Sequence, residues 1–182
     1  MRIIGITGTL GAGKGTIVEY LVSRYGFKHY SVRDFLTEEI VRRGLPVNRD
    51  SMRLVGDEFR AQHHPGWVIE QLYDRAVKNN TDAVIESIRA IGEVEFLCSV
   101  SEDFMLLAVD AEPQLRYERA FARKSATDDV TFEQFMEKER REMTSTDPAR
   151  MHIAGCMERS KHILRNDGNL EALHREVDKV LA

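Results

Sequence analysis

The chain of 182 residues is long enough for one domain with a substantial core. Its composition, 42% hydrophobic and 31% charged residues, excludes a disordered chain. The 26 basic and 30 acidic residues give a formal net charge of -4, which argues against a general nucleic-acid-binding protein, and no apolar run reaches membrane-spanning length. Cys98 and Cys156 lie far apart in the sequence, which is typical of free thiols in a reducing compartment. We therefore expect a cytoplasmic protein without nucleic-acid or membrane partners.

Apolar runs alternate with helical patterns along the whole chain, which predicts a parallel β-sheet covered by helices. No internal repeat or interdomain linker interrupts this pattern, so we expect a single α/β domain. Asp34 is expected to cap the second helix, and Gly44 and Pro46 to end it. In chain order the pattern predicts strand 2–6, helix 17–25, strand 28–31, helix 34–43, helix 50–62, helix 67–80, strand 83–85, helix 93–100, strand 104–109, helix 113–123, helix 131–143, strand 162–165 and helix 170–181.

A glycine-rich segment joins the first strand to the first helix. Residues 8–16 read Gly-Thr-Leu-Gly-Ala-Gly-Lys-Gly-Thr and fit the phosphate-binding pattern G-x-x-x-x-G-K. Glycines let successive backbone amides turn inward to form a concave nest for phosphate oxygens, and the following helix adds its positive N-terminal end. Lys14 places a full charge against the β and γ phosphates of ATP. The residues predicted to bind ATP here are Gly8, Gly11, Ala12, Gly13, Lys14, Gly15 and Thr16.

The Gly-Lys-Gly-Thr ending of this loop resembles the adenylate kinase and nucleoside monophosphate kinase family. Further segments resemble parts of the family's sequence in the same chain order. Residues 31–34 resemble the start of its acceptor-binding helix, and residues 85–89 resemble its strand-end motif Asp-Gly-x-x-Arg, with one residue fewer. Arg119 and Arg123 resemble the arginines of its lid, and residues 166–168 stand where the family has a loop beside the adenine. The chain also resembles a group of uncharacterised predicted nucleotide kinases and, more loosely, the dephospho-CoA kinases. The resemblance implies a three-layer P-loop fold with the five-stranded parallel sheet and strand order of nucleoside monophosphate kinases, an acceptor-binding helical section near 31–66 and a short lid near 119–141.

The resemblance also implies ATP and Mg²⁺ as cofactors. Glu86 ends an apolar strand, from which its carboxylate is expected to reach a metal-bound water, and Thr16 is the second candidate metal ligand. Gly15 occupies the position where other P-loop enzymes often carry a metal-binding hydroxyl, so the metal is expected to keep ordered waters. Arg119 is expected to bind ATP, and Arg123 to act as an internal arginine finger from the closing lid.

Several arginines are candidates for holding the acceptor. Arg89 follows the third strand and is expected to hold the acceptor phosphate during catalysis. A stripe formed by Arg49, Arg53 and Arg60 is expected to lie opposite the apolar side of helix 50–62 and to line the acceptor pocket. Thr37 stands where the family usually has an arginine, which leaves open whether other arginines substitute for it. The residues predicted to bind the acceptor are Arg33, Asp34, Arg53, Arg60 and Arg89.

These features predict an ATP-dependent phosphotransferase that converts a nucleoside or deoxynucleoside monophosphate to the diphosphate. One alternative is a kinase similar to dephospho-CoA kinases, although that family usually carries Asp-Ala-Asp where residues 31–34 read Ser-Val-Arg-Asp. Another alternative is a nucleotide-sensing or slow ATPase module without a small acceptor, favoured by the departures at Thr37 and Glu86. The sequence leaves open the identity of the acceptor and whether the protein is a monomer or a homodimer.

Overall fold

A computed structural model describes residues 1–122, 131–147 and 150–182. Within these residues a five-stranded parallel sheet has the order β2-β3-β1-β4-β5, which confirms the predicted fold class. The strands are β1 (Ile3–Gly8), β2 (Lys28–Ser31), β3 (Ala83–Glu86), β4 (Phe104–Asp110) and β5 (His162–Arg165).

Helices cover both faces of the sheet in the described part of the chain. They are α1 (Lys14–Tyr25), α2 (Val32–Arg42), α3 (Arg49–Gln62), α4 (Trp67–Asn79), α5 (Ile91–Val100), α6 (Pro113–Ala122), α7 (Phe132–Met143), α8 (Ile153–Glu158) and α9 (Leu170–Leu181). None of the helices described in residues 1–122, 131–147 and 150–182 is both long and apolar enough to cross a membrane.

The central strand β1 divides the core into two clusters. Every residue of β1 is buried, because β3 and β4 pair with its two edges and helices cover both faces. Ile3 belongs to the cluster that contains residues of α2, α3, α4, α5 and α8, whereas Ile4 and Ile6 belong to the cluster that contains residues of α1 and α9. This alternation of side chains along a strand gives the molecule three layers.

The parallel arrangement brings the carboxyl ends of several strands to one edge of the sheet. In the register, Glu86 of β3 pairs with Ile6 of β1 and with Ser31 of β2. Gly8 of β1 pairs with Val109 of β4 on the other side. Ligands of open α/β sheets bind outside this edge, so the segments that follow these strands form the candidate site.

The predicted start of α2 is wrong. Ser31 caps this helix, since its hydroxyl accepts a hydrogen bond from the backbone N–H of Asp34 at 3.1 Å. The helix therefore begins at Val32, and Asp34 lies in its first turn with an exposed side chain. A serine and an aspartate three residues apart can each cap a helix, and the sequence pattern selected the wrong one.

Helix α8 was absent from the predictions. It has only six residues and contains Gly155, so it offers neither the length nor the periodicity on which a sequence-based assignment depends. Residues 123–130 of the predicted lid, Arg123 among them, lie outside the described residues. The described part of the predicted lid consists of α7 and of α6 as far as Ala122.

Candidate active site

The loop between β1 and α1 turns through three glycines. Gly8, Gly11 and Gly13 have φ angles of 128°, 76° and 99°, which lie in the region that L-residues rarely adopt. A Cβ atom on Gly8 would lie 2.0 Å from the carbonyl oxygen of Val109, and one on Gly11 would lie 2.2 Å from that of Arg116. Glycine is therefore required both by the backbone angles and by the closeness of neighbouring chain segments.

Lys14 is the first residue of α1 and lies across the loop. Its Nζ donates hydrogen bonds to the carbonyl oxygens of Gly8 at 2.9 Å and Thr9 at 2.7 Å. The ammonium group is thus held beside the loop, at the positive N-terminal end of the helix. An anion seated over the loop amides would meet this charge.

Two further side chains brace the loop from neighbouring segments. Asp110, at the end of β4, accepts a hydrogen bond from the hydroxyl of Thr9 at 2.7 Å. Asn166, which follows β5 and is buried, donates from Nδ2 to the carbonyl oxygen of Ala12 at 2.8 Å. These bonds fix the shape of the loop without requiring a ligand.

The arginines of α6 have separate roles. Arg116 is buried and forms a two-pronged ion pair with Glu139 of α7, and it also donates to the carbonyl oxygen of Leu10 at 3.3 Å. Arg119 donates to the carbonyl oxygen of Asn166 at 2.8 Å and so lies next to the segment that braces the loop. Arg116 therefore supports the loop from inside the protein, whereas Arg119 lies beside the loop, and its role in binding ATP stays a prediction.

Glu86 projects from the end of β3 beside the loop. Its carboxylate accepts a hydrogen bond from the Ser31 hydroxyl at 3.4 Å and lies 3.7 Å from His29 Nε2. Burial raises the pKa of Glu86, but the hydrogen bond and charge of His29, the charge of Lys14 and the Ser31 hydroxyl outweigh it, so the pKa lies below its usual value. The carboxylate is therefore ionised at neutral pH and can accept a hydrogen bond from a metal-bound water.

The segment after β3 is held in an unusual conformation. Ser87 has a φ of 67°, which is rare for a residue other than glycine. The next residue is anchored to β1: the Ile88 N–H donates to the carbonyl oxygen of Ile6 at 3.1 Å, and the Thr7 hydroxyl donates to the Ile88 carbonyl oxygen at 2.7 Å. This turn directs the chain from Glu86 to Arg89.

Arg89 is positioned by a buried carboxylate. Glu93 Oε2 accepts hydrogen bonds from the backbone N–H groups of Arg89 at 2.8 Å and Ala90 at 3.0 Å. Its other oxygen accepts from Arg60 Nη1 at 3.0 Å. Glu93 is 1% exposed, and these donors compensate its loss of water.

The guanidinium of Arg89 meets a second acid, Glu142 at the end of α7. Glu142 Oε2 lies 3.0 Å from Arg89 Nη1, and Oε1 accepts from Nε and Nη2 of Arg49 at 2.9 and 2.7 Å. Burial lowers the pKa of Arg89 and Glu142 opposes this, but an arginine stays protonated in either case. Two arginines from distant segments thus converge on one carboxylate.

Comparison with known proteins identifies the family. A family model described as an AAA domain matches residues 7–136. A UPF0200 protein of Pyrobaculum aerophilum is 30% identical over 182 residues, covering all of this chain and 97% of that protein. The chain belongs to the AAA domain family and to the UPF0200 proteins. Another UPF0200 protein, from Methanococcus maripaludis, is 28% identical over 93% of this chain and 90% of its own length.

Solved structures place this UPF0200 member among kinase-like P-loop folds. The structure of TT1252 from Thermus thermophilus has a TM-score of 0.62 and 26% identity, covering 99% of this chain and 96% of that one. Shikimate kinase from Bacteroides thetaiotaomicron also has a TM-score of 0.62 but only 12% identity, with 99% and 98% coverage. The latter likeness concerns the fold alone. The expected relation to nucleoside monophosphate kinases or dephospho-CoA kinases in particular stays a prediction.

The predicted donor residues of this UPF0200 member come together at one place. The glycine-rich loop and Lys14 follow the central strand β1, with Glu86 at the end of the neighbouring strand β3 and Arg119 bonded to Asn166, which braces the loop. Thr16 is in the first turn of α1. Asp110 was missed, although it ends an apolar strand next to β1 in the same way as Glu86 does on the other side. Their roles in binding and catalysis stay predictions.

The predicted acceptor residues are more scattered in this family member. Arg33 and Asp34 are exposed at the start of α2. Arg53 is half exposed and lies 3.5 Å from Asp57 one turn away. Arg60 is 3% exposed and is paired with Asp57 at 2.7 Å as well as with Glu93. The expectation that Arg60 lies on a face opposite the apolar side of α3 is therefore wrong, because the side chain is buried and pairs with two acids. Its role in binding the acceptor stays a prediction.

Proposed function

We propose that this protein is an ATP-dependent phosphotransferase that phosphorylates a nucleoside or deoxynucleoside monophosphate. The observation that carries this proposal is the placement of the glycine-rich loop, Lys14, Glu86 and Arg89 at one edge of the sheet. The loop and Lys14 suit a triphosphate tail, and Arg89 suits the phosphate of an acceptor. The kinase-like fold supports a phosphotransferase, and the choice of acceptor comes from the nucleoside monophosphate kinase resemblance.

The donor site would act by positioning and charge. Loop amides and Lys14 would hold the β and γ phosphates, and Arg119 would add a second cation on the Asn166 side of the loop. Phosphoryl transfer needs little covalent chemistry from a protein, so neutralising charge and aligning the two phosphates would supply most of the rate enhancement. The acceptor phosphate needs no strong general base, and none is assigned. Arg123 remains the proposed arginine finger, outside the described residues.

Magnesium fits the donor set at this edge of the sheet. Among the described residues no group of three His, Cys, Asp or Glu side chains could hold a metal ion by itself. Mg²⁺ usually keeps several waters and binds one or two protein oxygens together with substrate phosphates. Thr16 and the ionised Glu86 would supply those oxygens, Glu86 through a water. The ion would neutralise charge on the transferring phosphate.

A second candidate is a nucleotide-sensing or slow ATPase module without a small acceptor. The observation that favours it is the pairing of Arg89 with Glu142, which leaves this arginine neutralised within the protein. Such a module would hydrolyse ATP slowly, and nucleoside monophosphates would leave its rate unchanged.

A coupled ADP-release assay separates these functions. Purified protein and Mg·ATP are combined with each ribo- and deoxyribonucleoside monophosphate in turn, and with dephospho-CoA. Stimulation by a monophosphate, with the diphosphate formed in equal amount, is expected. Stimulation by dephospho-CoA alone would reject the proposed acceptor class, and slow hydrolysis indifferent to every acceptor would favour the sensing module.

A further inference from the structure

We propose that Arg49 and Arg89 together form the binding site for the acceptor's phosphate group, and that Glu142 occupies this site in the free protein. The acceptor would bind by displacing the Glu142 carboxylate. This inference deepens the proposed function and rests on it for the name of the acceptor. The anion site itself is argued from the contacts of these three residues.

The contacts of Glu142 resemble those that a bound oxyanion would make. Both of its oxygens are engaged, Oε1 by two nitrogens of Arg49 and Oε2 by one nitrogen of Arg89. Guanidinium groups present a planar set of donors that matches carboxylate and phosphate equally well in geometry. A phosphate can therefore take the same donors without rearranging either arginine.

Charge favours a phosphate over the carboxylate at this position. A phosphate monoester carries about -1.5 to -2 charges at pH 7, whereas Glu142 supplies one. Arg49 and Arg89 carry two positive charges, and both bind the same carboxylate. Its single negative charge therefore compensates only one of the two. A ligand with one carboxylate would carry the same charge as Glu142 and would not be attracted more strongly. We therefore assign the site to a phosphate.

Arg49 can substitute for the arginine that is replaced by Thr37 in this chain. Thr37 stands where nucleoside monophosphate kinases, which this chain resembles, usually carry an arginine. In the structure the Thr37 hydroxyl donates to the carbonyl oxygen of Arg33 at 2.8 Å, a local bond within α2. Arg49 reaches Glu142 from the first residue of α3, where the Asn48 cap fixes the start of the helix.

Occupancy by Glu142 has a measurable consequence for affinity. An internal group that fills a site must leave before a ligand binds, so the apparent dissociation constant equals the intrinsic constant divided by the fraction of molecules in which the site is open. Removing the charge of Glu142 therefore raises the affinity for phosphate. Without the charge of Glu142, the two positive charges of Arg49 and Arg89 lie close together without a compensating carboxylate. This further favours binding of an added anion.

The test uses inorganic phosphate as the probe, titrated calorimetrically into the full chain. Saturating Mg·ADP is present to fill the glycine-rich loop. The variants are Glu142→Gln, the same change combined with Arg49→Gln, and Glu139→Gln. The last is the matched control, because Glu139 lies one turn away on α7, is equally buried and pairs with a different arginine. Glu142→Asp, which keeps the charge but shortens the side chain, is measured as well in case Glu142→Gln does not fold.

We expect Glu142→Gln to bind phosphate about tenfold more tightly than the wild type. Glu142→Asp should gain less, the variant that also lacks Arg49 should lose the gain, and Glu139→Gln should show none. Equal phosphate affinity in the wild type and in the folded Glu142 variants would overturn the proposal. So would a gain that persists without Arg49 or that Glu139→Gln reproduces.

This result is separable from the fate of the proposed function. A protein that binds phosphate in the expected pattern but phosphorylates no nucleoside monophosphate would keep the anion site and lose the proposed reaction. A protein that phosphorylates one of them while Glu142 variants bind phosphate no better than the wild type would keep the reaction and lose the role of Glu142. If Mg·ADP fails to bind, phosphate is titrated alone and the Arg49 variant still reports on this site.

Discussion

Gly13 is the position where the geometry of the loop can be tested most sharply by one methyl group. It caps α1 with a φ of 99° and a ψ of 26°. A Cβ atom there would lie 2.2 Å from Nδ2 of Asn166, the atom that donates to the carbonyl oxygen of Ala12. Gly13→Ala therefore imposes backbone strain and also displaces the amide that braces the loop.

The two effects can be added as orders of magnitude. A left-handed backbone conformation costs a residue with a Cβ about 1–2 kcal/mol. Loss of the hydrogen bond from Asn166 leaves the buried carbonyl of Ala12 without this donor, which costs about 1–3 kcal/mol. Gly13→Ala is thus expected to lower the free energy of unfolding by about 2–5 kcal/mol, a large part of the about 5–15 kcal/mol typical of a domain.

Urea denaturation followed by circular dichroism measures this change, and Gly15→Ala is the matched control. Gly15 lies two residues along, in the first turn of α1, and a Cβ atom there would meet nothing within 4 Å. Because glycine weakens helices, Gly15→Ala should raise stability by up to about 1 kcal/mol. If Gly13→Ala proved as stable as the wild type, the described contact between Gly13 and Asn166 would be refuted.

Two further predictions concern ion pairs. Hydrogen bonds from Arg42 and then Arg43 lower the pKa of Glu39 from 4.5 to about 2, so its contribution to stability is complete above pH 4.5 and is lost as the pH falls toward 2. The difference in free energy of unfolding between the wild type and Glu39→Gln should therefore shrink in urea titrations from pH 7 to 3, and a constant difference would contradict this. Arg116→Met leaves Glu139 buried without its partner and should cost about 3–5 kcal/mol, whereas a double change of both residues to Met should cost less. A double variant less stable than the single one, in the same urea assay, would refute the reasoning.

The sequence predicted those parts of the site that depend on local patterns. The glycine-rich loop needs particular residue types at fixed spacing between a strand and a helix, so Lys14 could be placed before the structure was known. Glu86 and Arg89 could be placed at this edge for a similar reason, since Glu86 ends an apolar strand and Arg89 follows it closely. Parallel strands bring such ends together at one edge of a sheet.

The parts that sequence reasoning could not supply depend on contacts between distant segments. Glu142 meets Arg49 across 93 residues, and Asn166 meets Ala12 across 154. No local spacing signals such a pair. Arg60 illustrates the same limit: an arginine on an amphipathic helix is usually exposed, and only the tertiary packing that brings Glu93 beside it makes its burial favourable.

Affinity for Mg·ATP tests the central claim most directly. Isothermal titration calorimetry is performed on the wild type, on Lys14→Ala and on Lys28→Ala, a control that removes an exposed lysine from the start of β2, at the opposite edge of the sheet. We predict binding by the wild type, a loss of about 10- to 100-fold or more in Lys14→Ala, and wild-type affinity in Lys28→Ala. A wild-type protein without affinity for Mg·ATP, or a Lys14→Ala variant that binds it equally well, would contradict the account.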